Sequence, residues 1–236
     1  MLRSRLVCAL FAFVAGVAPY SQSTAAALPD ATVFTTYSGN PTSVQWLLCG
    51  STSQSDGCYG SGTLGPFVAV GSILESDPVS IVGNTVTRYI YVVDTGATPV
   101  TMYVYKKTIS VTVSDATVVI SPYKTLPLLP LVGGTNVPTF MAANGKFLFI
   151  GTSISAQAVR VAKSNLTVQA LGSFSPPINV SSITSNSYGY VTVTQGGSSG
   201  GFTLYGPEGN GVEDGGGGEV VVGTTQAVQA TSYLTK

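Results

Sequence analysis

The sequence predicts an all-β, antiparallel protein of short strands, and three observations carry that prediction. Valine, threonine and serine each outnumber leucine, a bias toward pleated strands rather than helices. The 28 glycines and 13 prolines fall largely between apolar runs, where they mark turns. No stretch of helical length holds apolar residues at a 3.6-residue period, whereas short alternating or wholly apolar runs recur.

Four pairs of runs read as antiparallel hairpins. The first joins 31–37 to 43–49 through Ser38-Gly39-Asn40-Pro41, a strong turn sequence. The others join 88–94 to 100–106, 146–151 to 158–162, and 188–194 to 201–205. Residues 67–70 also read as strand. An additional hairpin is expected from 109–113, a Ser114-Asp115-Ala116 turn and 117–120, followed by a proline-rich connection through Pro122, Pro127 and Pro130. Aligning the hairpins puts Tyr89, Phe147 and Tyr190 in equivalent places, with Val33 a looser equivalent before them. The interval from Phe147 to Tyr190 is close to the 40–45 residues of a propeller blade, and the extra hairpin accounts for the longer interval before it.

The phrase Val137-Pro138-Thr139-Phe140-Met141-Ala142-Ala143-Asn144-Gly145-Lys146-Phe147-Leu148-Phe149-Ile150-Gly151 joins an apolar strand, an Asn-Gly-Lys turn and an aromatic-rich strand. It continues through Ala158-Val159-Arg160-Val161 and Leu166-Thr167-Val168, with a weaker echo over 178–205. In these residues the chain resembles secreted β-propeller proteins of the YVTN and lactonase-like type. The resemblance covers about a third of the chain and implies blades of antiparallel sheet; it carries over no catalytic residue. The expected fold is therefore a propeller-like arrangement of about four to five blades, with a β-sandwich as the alternative. Residues 31–36 and 219–222 are the strands expected to close a ring by pairing across the termini.

Arg3 and Arg5 precede an apolar run over 6–18 that is too short to span a bilayer, and Ala25-Ala26-Ala27 offers small residues for cleavage. Residues 1–27 are read as a secretory signal, 28–222 as one β-rich domain and 223–236 as a polar tail, with Gly215–Gly218 a flexible lead to the last strand. A secreted or periplasmic location follows, with no membrane span after the signal is removed. Cys49 and Cys58 then read as a disulfide pinning a Gly- and Ser-rich loop. Their spacing is not Cys-x-x-Cys, and no basic neighbour favours a redox thiolate.

Composition removes several chemistries. The chain has no histidine, so the commonest general base and imidazole metal ligand are missing. Ten basic residues balance ten acidic ones, charged residues are only 8% of the whole, and no basic stripe suits nucleic acid. Gly60-Ser61-Gly62-Thr63-Leu64-Gly65 matches a dinucleotide fingerprint, but Pro66 and strand follow where a helix is required. Gly196-Gly197-Ser198-Ser199-Gly200 matches a nucleophile elbow without a histidine to take the serine proton.

Carboxylates remain. Glu75 and Asp77 lie two apart, as a catalytic or calcium-binding pair would, although Glu75-Ser76-Asp77-Pro78 is more simply a turn. Asp56 and Asp94 read as turn formers, and Glu208, Glu213 and Asp214 lack the spacing of a calcium loop. Tyr89, Tyr91, Tyr103 and Tyr105 are the densest aromatic cluster, with each pair on one face of its strand. Cross-strand packing is the ordinary explanation; an exposed face would stack carbohydrate or peptide. No catalytic, metal or cofactor residue is assigned. The expected function is an exported, non-catalytic binding or scaffold module. A small lactonase-like hydrolase is one alternative, and a subunit of a surface assembly, joined through poorly guarded strand edges, is another.

Overall fold

The computed structural model describes residues 31–37, 42–51, 56–112, 116–171, 179–196, 202–209 and 221–222. The expected signal at 1–27, the tail at 223–236, Gly215–Gly218, Ser198, Glu213 and Asp214 lie outside them. Among the described residues there is no helix, and none therefore that is long and apolar enough to cross a membrane.

The strands form four antiparallel sheets, each from a continuous stretch of chain. The first sheet is β1 (Ala31–Tyr37), β2 (Thr42–Ser51) and β3 (Asp56–Phe67) in that order. The second holds β4 (Val70–Glu75), β5 (Ser80–Val82), β6 (Thr85–Asp94), β7 (Thr101–Val111) and β8 (Ala116–Pro127), with path β4-β6-β7-β8 and β5 paired to β6. The third is the meander β9 (Thr139–Ala143), β10 (Phe147–Thr152), β11 (Val159–Ala162) and β12 (Val168–Ala170). The fourth is β13 (Val180–Ser185), β14 (Val191–Gln195), β15 (Phe202–Tyr205) and β16 (Val221–Val222).

Because side chains alternate along a strand, β6 serves two cores at once. Ile90 and Val92 join Val44, Trp46 and Leu48 of β2, while Tyr91 and Val93 join Leu148 and Ile150 of β10. Phe149, between those two β10 residues, turns the other way and meets Val180, Val191 and Tyr205 of the fourth sheet. The sheets are thus stacked face to face in chain order, with the second and third apolar on both sides. This explains why 147–152 reads as a continuous hydrophobic run rather than an alternating one. The outer face of the first sheet is different: Val33 and Leu47 stand exposed there beside Thr35, Gln45 and Thr63.

All four expected hairpins form, as β1–β2, β6–β7, β10–β11 and β14–β15. Three local readings are corrected. Residues 109–111 do pair with 116–118 as the expected hairpin, but as the continuation of β7 and the start of β8 rather than as a separate unit, since β7 runs unbroken from Thr101 and pairs with β6 as well. The strand runs through Lys106-Lys107 because Lys107, 1% exposed, is satisfied by Glu75 at 2.8 Å. The proline-rich connection is also strand as far as Pro127: Pro122 and Pro127 lie on β8, which pairs on one side to β7 and ends that sheet's path, where a missing N–H costs no ladder bond. Residues 67–70 are not one strand, because the chain breaks between β3 and β4. There Asp94 Oδ2 accepts from Val68 N at 2.9 Å and Oδ1 from Ala69 N at 2.8 Å.

The strands expected to close a ring pair within their own sheets instead, β1 with β2 and β16 with β15. The dinucleotide-like glycines lie within β3, where Gly60 and Gly62 make room for the Trp46 ring. A Cβ on Gly62 would come within 2.8 Å of the indole nitrogen. Cys49 and Cys58 are opposite one another on β2 and β3 and are disulfide-bonded.

Candidate functional site

The second, third and fourth sheets repeat one local device at the end of their first strand. Ser76, just past β4, accepts from Tyr89 N through Oγ at 2.9 Å. Asn144, just past β9, accepts from Phe147 N through Oδ1 at 2.8 Å. Asn186, just past β13, accepts from Tyr190 N through Oδ1 at 3.1 Å. In each case the same residue's own backbone N–H donates to the aromatic residue's carbonyl, at 2.8 to 3.0 Å. A short side-chain oxygen suits this place: Asn144 and Asn186 each close a tight turn on the chain just ahead, while Ser76 reaches across to β6, 13 residues on. Tyr89, Phe147 and Tyr190 are structurally equivalent, as their alignment in the sequence implies.

These matching ends bring β4, β9 and β13 side by side at one cleft of about 450 Å³. Its apolar wall is Leu74, Met141, Ala143 and Ile183; Thr184 and Ser185 add hydroxyls, and Glu75, Asp77 and Lys163 add charge. Asn144 is buried and ties the cleft's frame together, its Nδ2 donating to the Gly189 carbonyl at 3.0 Å and the Pro207 carbonyl at 3.4 Å. A second groove of similar size runs along β9 and β13, past Thr139, Ser181 and Ser182.

The three charges differ in how far they are committed. Glu75 Oε1 accepts from Lys107 Nζ at 2.8 Å and lies 3.7 Å from Arg88 Nε. Lys107 also donates to the Thr32 hydroxyl of β1, so this ion cluster fastens the first sheet to the second. Burial lowers the Lys107 pKa, the Glu75 bond opposes that effect, and Arg88 adds to it. Lys163 is half-buried and donates to the Asn144 carbonyl, leaving two of its three donors unused among the described residues. Burial lowers its pKa and the negative charge of Asp77 offsets part of the effect. Asp77 is exposed and has no salt bridge among the described residues.

The tyrosines are not one platform. Register sets Val92 opposite Tyr103 and Tyr91 opposite Val104, so the two pairs lie on opposite faces of the second sheet and no tyrosine faces another across β6 and β7. Tyr103 and Tyr105 pack on Phe67 with ring centroids 5.3 and 6.5 Å apart. Tyr91 is fully buried, and Tyr89 stacks on Tyr123 of β8 at 5.0 Å. Asp94 is a turn former in full, accepting from Gly96 N at 3.1 Å besides Val68 and Ala69. Glu208 pairs with Lys146 at the surface. Among the described residues no three Asp, Glu or Cys side chains converge as a metal site would require.

Lys163, Ile183 and Ser185 were not singled out in the sequence, whereas Glu75 and Asp77 were, as a carboxylate pair, and Met141 to Asn144 lay inside the blade phrase. No protein-family model matches the chain, and no curated protein sequence matches it.

Proposed function

We propose that the chain is an exported, non-catalytic binding module of blade-like, propeller-type construction, working outside the cytoplasm, with its ligand site at the cleft shared by β4, β9 and β13. One observation carries this reading: three sheets present equivalent strand ends to one concavity that holds Lys163 and the unpaired Asp77 against an apolar wall. Concave sites with an apolar lining and a few convergent polar groups are the usual form of small-ligand sites. The three repeated turns and the face-to-face stacking support the blade description. The leader-like residues 1–27 and the Cys49–Cys58 bond support export.

A lactonase-like activity finds less support, because Glu75 is already engaged by Lys107 and Arg88. The assembly reading has its own observation in β5. This strand pairs with β6 on one side only among the described residues and exposes Ile81 and Val82, beside exposed Val79.

The test is a thermal-shift screen of small polar and charged compounds against the mature protein and its Lys163→Ala, Asp77→Ala double variant. A hit that stabilises the first and not the second is expected. Hits that stabilise both equally would move the site elsewhere. Sedimentation at rising concentration tests the assembly reading.

A further inference from the structure

The charges in the cleft are balanced in a way that selects a ligand class. Glu75 is held by Lys107 at 2.8 Å and by Arg88 at 3.7 Å in the cluster that fastens the first sheet, which leaves one negative group, Asp77, and one positive group, Lys163, uncommitted at the cleft. A simple anion drawn to Lys163 meets Asp77, and a simple cation drawn to Asp77 meets Lys163. A molecule carrying both a carboxylate and an ammonium satisfies each group with a charge-assisted hydrogen bond. Leu74, Met141 and Ile183 line the same cleft and suit an aliphatic side chain.

We propose that this cleft binds a small zwitterion of amino-acid chemistry with an aliphatic side chain, its carboxylate on Lys163 and its ammonium on Asp77. The proposal rests on the binding-module reading and names the ligand of that same site. A free amino acid and a di- or tripeptide share this chemistry, and the cleft, about 450 Å³, has room for either. Half-burial strengthens the Lys163 contact, since a partly desolvated ammonium gains more from a carboxylate than one in water does. Asn144 fixes the position of that ammonium through its carbonyl, leaving donors to spare.

The experiment is an NMR titration of the ¹⁵N-labelled mature chain with leucine, leucyl-leucine, N-acetyl-leucine and leucinamide. Saturable shifts in the amides of 74–77, 141–144, 163 and 183–185 are expected with leucine or leucyl-leucine, and whichever binds tighter identifies the source. Capping either end should weaken binding about tenfold or more. In Lys163→Met the amide and the free carboxylate should bind alike; in Asp77→Asn the acetylated and free amines should bind alike. Lys163→Arg, which keeps the charge, should retain binding and guards against a loss caused by misfolding. N-acetyl-leucine binding as well as leucine would overturn the proposal in favour of a simple anion site. Zwitterions leaving the cleft unmoved, while a neutral sugar or another compound from the screen shifts it, would overturn the ligand class and spare the binding module. No shift in the cleft with any compound would overturn both.

Discussion

Tyr91 offers the sharpest energetic test of the stacked-sheet core. It is fully buried between the second and third sheets, and its hydroxyl has no hydrogen-bond partner among the described residues. Burial, with a smaller contribution from Tyr89, pushes its pKa from 10.0 up to about 12. The folded protein therefore keeps a proton that the unfolded chain gives up at pH 10. Between pH 10 and about 12 the unfolded state binds fewer protons, so stability falls as pH rises through that window and is unaffected by this group below it. At about 1.4 kcal/mol per pKa unit, the loss is on the order of 1 kcal/mol by pH 11 and approaches roughly 3 kcal/mol above pH 12. Tyr91→Phe removes the titration and an unsatisfied buried hydroxyl together, which should add about 1 kcal/mol at pH 7. Urea unfolding followed by the fluorescence of Trp46, the only tryptophan, at pH 7, 9, 10 and 11 measures both effects. The advantage of the phenylalanine variant should be constant to pH 9 and then grow. Burial also raises Tyr89 and Tyr105, which titrate in both proteins and largely cancel in the difference. A phenylalanine variant less stable than wild type at pH 7, or a difference that stays flat to pH 11, would refute the claim of a dry, unpartnered hydroxyl.

Other expectations follow from single contacts. Asp94→Ala strands three backbone N–H groups, at Val68, Ala69 and Gly96, and should cost about 3 kcal/mol in urea unfolding; a cost under 1 would mean water replaces the carboxylate. Gly62→Ala drives a methyl against the Trp46 indole and should cost about 1–3 kcal/mol with a shifted emission maximum, since overpacking must displace the ring. Reducing Cys49–Cys58 opens a short loop and should cost about 2.5–3 kcal/mol by chain entropy, read as a lowered midpoint in reductant. Lys107→Met leaves Glu75 with only Arg88 and loosens the hold on Thr32; a loss of about 3 kcal/mol or more is expected, and a neutral result would mean the buried ion cluster adds nothing over an apolar contact.

What the sequence made legible, and what it hid, divides along the range of the interactions involved. Hairpins were readable because their signals are local: alternation, β-branched residues and a turn within a few positions. The equivalence of Tyr89, Phe147 and Tyr190 was readable because each belongs to the first arm of a locally readable hairpin; the bond that marks the equivalence is local for Phe147 and Tyr190 but spans 13 residues for Tyr89. Lys107 misled because its charge breaks a hydrophobic run, and the carboxylate that permits its burial lies on a strand 32 residues earlier. The tyrosines misled for a related reason: alternation gives the face within one strand, whereas the register between β6 and β7 decides which face of the sheet that is, and register is not local. The cleft is the extreme case. Lys163 sits in a Lys-Ser-Asn turn that by sequence is an ordinary solvated bend, and it becomes part of a site only because stacking brings the ends of β4 and β13 beside its own sheet. A chain with no histidine and few charges thus places two uncommitted opposite charges where three sheets meet. That location, rather than any motif, makes Lys163 and Asp77 the residues to test first.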